Sequence, residues 1–173
     1  SDALPARQAI INRKNAMTHI ETDYLIIGSG AVGLAFADTL LDETDAHITL
    51  VDRHGKPGGH WNDAYSFVAL HQPSAFYGVN SMPLGADRID TVGVNKGYYE
   101  LASGPEVSGY FDRAMNQKLL PSGRVSYYPM CDYQGDGRFV SILSGEETTV
   151  TVRKKTVDAT WYKGNILFIA DRA

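Results

Sequence analysis

The chain has 173 residues, of which 43% are hydrophobic and 21% charged, with a net charge of −4. That length suits one domain able to bury a core without covalent staples, and the acidic balance, with no dense Lys/Arg stripe, sets a nucleic-acid surface aside. A single cysteine, Cys131, excludes an internal disulfide and a cysteine-cluster metal site.

Residues 1–16 hold three basic side chains and no continuous apolar stretch. They read as a flexible arm or an expression remnant, with Met17 as the natural start; a transit peptide is the remote alternative. No apolar run reaches the about 18 residues that a membrane span needs. One cysteine fits a reducing cytoplasm, and a cytoplasmic location is the expectation.

Tyr24-Leu25-Ile26-Ile27 is a short apolar run, the pattern of a strand covered on both faces of a parallel sheet. Gly28-Ser29-Gly30-Ala31-Val32-Gly33 follows, and then a run of helix formers to Leu41, with Val32, Phe36 and Leu40 expected to form one apolar stripe. A second apolar run, His47 to Val51, ends at Asp52. The order strand, turn, helix, strand over residues 22–53 predicts a βαβ crossover.

Residues 54–104 are rich in Gly, Pro and Tyr and show no clear period, as a cofactor-covering segment with short elements does. Ser103-Gly104-Pro105-Glu106 has the form of a capping box with proline early in the helix. It opens a helix over 105–120 whose expected buried face is Val107, Tyr110, Phe111, Ala114, Met115 and Leu119. From Arg124 the period becomes two. Strands at Val125–Tyr128, Phe139–Leu143 and Thr148–Arg153, with a turn at Gly135-Asp136-Gly137, predict an antiparallel β-meander over 124–153. A return strand over 155–160 and a short strand at Ile166–Ile169 complete the pattern.

The glycines have a chemical reading. Gly28 permits the tight turn, Gly30 lets backbone approach a pyrophosphate, and Gly33 lets the helix pack close to the sheet. Ser29, Ala31 and Val32 complete the turn, whose free N–H groups at the helix start suit a dianionic pyrophosphate. Asp52, about 20 residues on, is placed to accept from a ribose 2′-hydroxyl, which disfavours a 2′-phosphate, although the adjacent Arg53 could accommodate one. The motif predicts an adenine dinucleotide and leaves FAD and NAD open.

Val51-Asp52-Arg53 followed by Gly58-Gly59-His60-Trp61 resembles FAD-dependent oxidoreductases of the glutathione-reductase-like type, nearest to the flavin-containing monooxygenases. Val157-Asp158-Ala159-Thr160 resembles a stretch of that family, with Trp161 where the family has glycine. The resemblance covers about residues 20–162. It implies a Rossmann-like FAD/NAD(P)-binding domain of the α/β class, with a parallel sheet and an inserted antiparallel β-meander. It also implies cofactor contacts for Asp52, Arg53, Gly59, His60 and Trp61, for His71, Gln72 and Ser74 on the flavin side, for Met130 and Cys131 near adenine, and for Ala159 and Thr160.

Two features of the full family are missing. No second GxGxxG unit for NADPH is present, because Gly135-x-Gly137 sits in a hairpin turn, and Ile166–Asp171 has Ala170 where the late family segment has glycine. The chain therefore reads as the N-terminal part of a larger oxidoreductase or a truncated relative, incomplete at its C-terminus, and NADPH would enter only through a missing or partner domain.

No catalytic residue is assigned. His60 and His71 suit either acid/base chemistry or structural hydrogen bonding, while His19, His47 and His54 read as surface or strand-end residues. Cys131 reads as a buried structural thiol. Tyr65, Tyr77, Tyr98 and Tyr99 either line a flavin pocket or anchor the segment around them. No clustered metal-ligand set exists. The expected function is the FAD-binding part of a flavin-dependent, monooxygenase-like oxidoreductase, with an unidentified small-molecule substrate and homo-oligomer formation left open. The alternatives are an NAD-binding module, or a non-catalytic flavoprotein homologue acting through a partner.

Overall fold

The computed structural model describes residues 17–65, 67–74 and 77–160. Among these, β1 (Thr18–Ile27), α1 (Ala31–Glu43) and β2 (Ile48–Val51) form the expected βαβ unit, with β1 and β2 parallel from the pair Tyr24–Ile48 to the pair Ile27–Val51. A short 3-10 turn, Gly59–Asp63, and a two-residue hairpin, β3 (Gly78–Val79) with β4 (Met82–Pro83), interrupt the long segment that follows. Then come α2 (Gly104–Arg113), β5 (Val125–Tyr128), β6 (Cys131–Gly135), β7 (Arg138–Ser141) and β8 (Glu147–Asp158). The main sheet runs β5-β2-β1-β8-β7-β6, with β5, β2, β1 and β8 parallel and β7 and β6 antiparallel beyond them.

Two expectations about the second half are corrected. Val125–Tyr128 does not lead the meander but pairs parallel with β2, so β2, α2 and β5 make a second crossover and the antiparallel part starts at Cys131. The stretch 148–153 and the return strand expected over 155–160 are one strand, β8, which ends at Asp158 and whose register against β1 shifts once between Thr22 and Tyr24. The apolar β1–β2 pair needs a parallel partner on its outer edge to bury its backbone groups, and the strand leaving α2 supplies it. The short strand expected at 166–169 and the residue Trp161 lie outside the described residues.

The α1 stripe is also corrected. Val32 is 67% exposed, whereas Leu34, Ala37, Leu40 and Leu41 are buried, so the face one position round from the expected one meets the sheet. Phe36 lies at the margin, edge-on to Tyr24.

α2 behaves as its sequence predicts. The Ser103 hydroxyl accepts from Glu106 N–H, and the Glu106 carboxylate accepts from Ser103 N–H at 2.7 Å. Beyond Arg113 the helix widens into a π segment, Ala114–Leu119. The wider turn slows rotation about the axis, so Leu119 joins Val107, Tyr110, Phe111, Ala114 and Met115 in the core. Lys118 is left to reach Asp38 of α1, which is fully buried and also accepts from Ser81 N–H (3.1 Å) and Ser81 Oγ. Burial opposes the Asp38 charge, but Lys118 and Ser81 outweigh it and hold the carboxyl below the usual carboxylate range. This network ties α1, the β3–β4 hairpin and the helix after β4 together.

Candidate functional site

The loop between β1 and α1 is fixed by close backbone contacts. Gly28 has φ +102°, donates its N–H to Val51 O at 2.8 Å, and leaves only 3.0 Å between an added Cβ and Ala159 O. At Gly33 an added Cβ would stand 2.0 Å from Gly28 O, which no rearrangement of side chains relieves. Gly30 faces Gly59. A Cβ on Gly30 would be 3.4 Å from Gly59 Cα, and one on Gly59 (φ +56°) would be 3.0 Å from Gly30 Cα. The Gly58 N–H adds a bond of 2.9 Å to Ser29 O. The Gly58-Gly59 turn is thus seated directly on the glycine loop.

Behind that loop α1 has Gly30 as its N-cap, with no side-chain cap and no acidic residue in the first turn, and Leu34 N–H bonds back to Gly30 O. The N–H groups of Ala31, Val32 and Gly33 precede that bond, and together with the positive end of the helix dipole they have the chemistry of an anion site.

Asp52 stands at the tip of β2, 7% exposed. Its Oδ2 accepts from Ser29 N–H (2.5 Å) and Ser29 Oγ (2.7 Å). Its Oδ1 accepts from His54 N–H (2.8 Å) and faces His54 Nδ1 at 2.9 Å. A carboxylate offers about four lone-pair positions, and all are engaged within the chain. The other imidazole nitrogen, Nε2, faces Asp63 Oδ2 at 2.9 Å. Burial works against charge on His54, yet its bonds to Asp63 and Asp52 outweigh it and raise the imidazole above its usual value. The sequence pattern places His54 at the surface or a strand end; the structure makes it the link between β2 and the Gly59–Asp63 turn. The Asp52-x-His54 spacing was the one signal available, but its partner Asp63 is visible only in three dimensions.

The other expected site residues divide. Arg53 is exposed and pairs with Asp132 at 3.4 Å. His60 lies at the surface with its ring tilted over Trp61 at 5.4 Å. Trp61 is buried and donates its indole N–H to the Tyr77 hydroxyl at 2.9 Å. His71 and Gln72 are exposed. Ser74 is buried away from the glycine loop, with N–H and hydroxyl both given to Glu100 O. Met130 adopts φ +52° and donates its N–H to His54 O, while Cys131 N–H goes to Asp52 O. The Cys131 thiol is packed near Val51 and Phe139, and burial pushes its pKa up. Ala159 N–H bonds Ile27 O at 2.8 Å, so the turn after β8 reaches the glycine loop through Ala159, and Thr160 closes on Asp158. Ser29, Gly30, Asp52, Gly59 and Ala159 share one neighbourhood; Ser74 does not.

Among the described residues no metal-ligand cluster occurs, and no helix is long and apolar enough to cross a membrane. A cavity of about 390 Å³ lies apart from the glycine loop, between Ser74, Gly85, Arg88, Glu100 and Arg113.

Comparison with known proteins agrees with this geometry. Uncharacterized proteins of Mycobacterium tuberculosis and Mycobacterium bovis are 56% identical over 144 residues, which is 83% of this chain and 27% of theirs. The chain thus spans about a quarter of the length of these relatives. A flavin-containing monooxygenase from Stenotrophomonas maltophilia matches with a TM-score of 0.55 at 19% identity, covering 81% of this chain and 38% of the other. A bacillithiol disulfide reductase from Staphylococcus aureus matches with a TM-score of 0.57 at 11% identity, covering 84% and 39%. At these identities the likeness is one of fold. Residues 26–85 match the model of the NAD(P)-binding Rossmann-like domain family, and the chain has a Rossmann-like fold similar to that of the flavin-containing monooxygenase.

Proposed function

We propose that this chain is the FAD-binding part of a flavin-dependent oxidoreductase of the monooxygenase kind, gripping the ADP portion of the cofactor at the Gly28–Gly33 loop. The observation that carries this reading is the uncapped start of α1, held behind a loop in which packing leaves no room for a Cβ at Gly28 or Gly33. A pyrophosphate fits such a cradle, since it needs donors and positive potential without intervening side chains. FAD is supported over NAD by the Gly58–Trp61 turn, the part of the sequence that resembles the flavoproteins, because it is bonded to the same loop.

FAD would supply the redox chemistry, and the residues here would bind and orient it. Gly28, Gly30, Gly33 and the first turn of α1 are the pyrophosphate group of residues. Asp52 can meet a ribose only if Ser29 or His54 yields one of its bonds, so its first duty is to shape the loop. The lone buried thiol, Cys131, fits a reducing cytoplasm.

An NAD-binding module is the second reading, favoured by the family matched over residues 26–85. Separate titrations with FAD and NADH distinguish the two. Binding of FAD, lost in Gly33→Ala, is expected; a protein that refuses FAD and binds NADH overturns the first reading.

A further inference from the structure

Asp52, His54 and Asp63 form a line of charges that pyrophosphate binding leaves unexplained. Both ring nitrogens of His54 face carboxylate oxygens at 2.9 Å. A neutral imidazole carries one N–H, so it can donate to one carboxylate while turning a lone pair on the other. Only the imidazolium donates to both. The two carboxylates differ in setting, for the Asp52 side chain is 6% exposed and that of Asp63 is 73% exposed. When one bond has to be given up, water can solvate Asp63 but not Asp52, so the link to Asp63 is the one that opens. Asp63 ends the Gly59–Asp63 turn, whose first residue is seated on Gly30 and whose N-cap, Gly58, donates its N–H to Ser29 O.

We propose that protonated His54 is a positioning residue that clamps the Gly59–Asp63 turn onto the Gly28–Gly33 loop, so that dinucleotide affinity falls when His54 loses its proton. The effect on affinity rests on the proposed dinucleotide site, whereas the clamp rests on hydrogen-bond geometry alone. His60, in the same turn, also faces the Asp63 charge, but burial outweighs it and holds its imidazole below the usual value, so as pH rises it gives up its proton before His54 does. Arg53 on the adjacent backbone is paired with Asp132 of β6. Tyr127 of β5 sits 3.4 Å from Ser29 Oγ, and burial pushes its hydroxyl up to about 12, so it keeps its proton throughout. The Lys56 carbonyl accepts from Asn62 at 3.1 Å, and Met130 donates its backbone N–H to His54 O.

The sign follows from the direction of the His54 shift. Its pKa is raised by the folded surroundings, so the clamp is closed below the ordinary imidazole value of about 6.5 and opens as pH rises through the elevated one.

FAD affinity and amide hydrogen exchange at Gly58, corrected for the intrinsic exchange rate, are measured from acid to mildly alkaline pH in the native chain and in Asp63→Asn. The native chain should lose about five- to tenfold in affinity across the His54 titration, with Gly58 protection falling at the same midpoint. In Asp63→Asn a neutral imidazole keeps Nδ1–H on Asp52 and accepts the asparagine N–H at Nε2, so both profiles should flatten. Gly58 protection that ignores the His54 titration overturns the clamp, and so does a native slope retained in Asp63→Asn. If FAD binds at no pH while Gly58 protection follows His54, the dinucleotide site fails and the clamp stands.

Discussion

The glycine loop and the segment around residues 89–99 are both rich in glycine, yet they are held in opposite ways. At Gly28, Gly33 and Gly59 backbone already crowds the space of a side chain, Gly30 lies in contact with Gly59, and Asp52 saturates its acceptors on Ser29 and His54. At Gly93 and Gly97 nothing stands within 4 Å, and the neighbours Val92, Val94 and Tyr98 are 78%, 108% and 71% exposed. The first region uses glycine because two chain segments must touch. The second uses it only because the turn needs positive φ. Glycine content alone therefore does not mark a site; the backbone contacts around it do.

Substitutions can break this contrast. Gly33→Ala should have the largest effect, since its Cβ would overlap Gly28 O; a loss of about 3 kcal/mol in chemical unfolding is expected, together with loss of FAD binding. Lys118→Met leaves Asp38 buried without its cation and should cost about 2 kcal/mol near neutral pH. The depressed Asp38 pKa contributes stability above the ordinary carboxylate value, lost as pH falls through the depressed one. The variant should therefore lose that acid-sensitive component, seen as a flatter unfolding midpoint below neutrality. Gly97→Ala should cost about 1 kcal/mol through its φ of +89° alone, with FAD binding unchanged. Val94→Asp, at the most exposed apolar side chain among the described residues, should change stability by less than about 0.5 kcal/mol. Equal losses from Gly33→Ala and Gly97→Ala would erase the distinction between the two regions.

Local chemistry was legible in the sequence. The βαβ unit and the Ser103–Glu106 capping box are set by neighbours within a few residues, and the α2 face followed from spacing once the helix was recognised. What failed to read were choices between distant partners. α1 offers two apolar stripes, one through Val32, Phe36 and Leu40 and one through Leu34, Ala37 and Leu41, and spacing does not say which meets the sheet. Val125–Tyr128 alternates like a meander strand, but α2 returns it to β2 as a parallel neighbour. The His54 link needed Asp63, which the 3-10 turn brings back across the end of β2. Asp38, a carboxylate among the apolar residues of the buried α1 face, gave no hint that Lys118 would reach it.

The identity of the molecule held by the glycine loop decides most directly between FAD and NAD. Mass spectrometry of small molecules released on denaturing the purified chain, after incubation with equal FAD and NAD and removal of excess, should detect FAD in the native protein and none in Gly33→Ala. Release of NAD in place of FAD, or of neither, would contradict it.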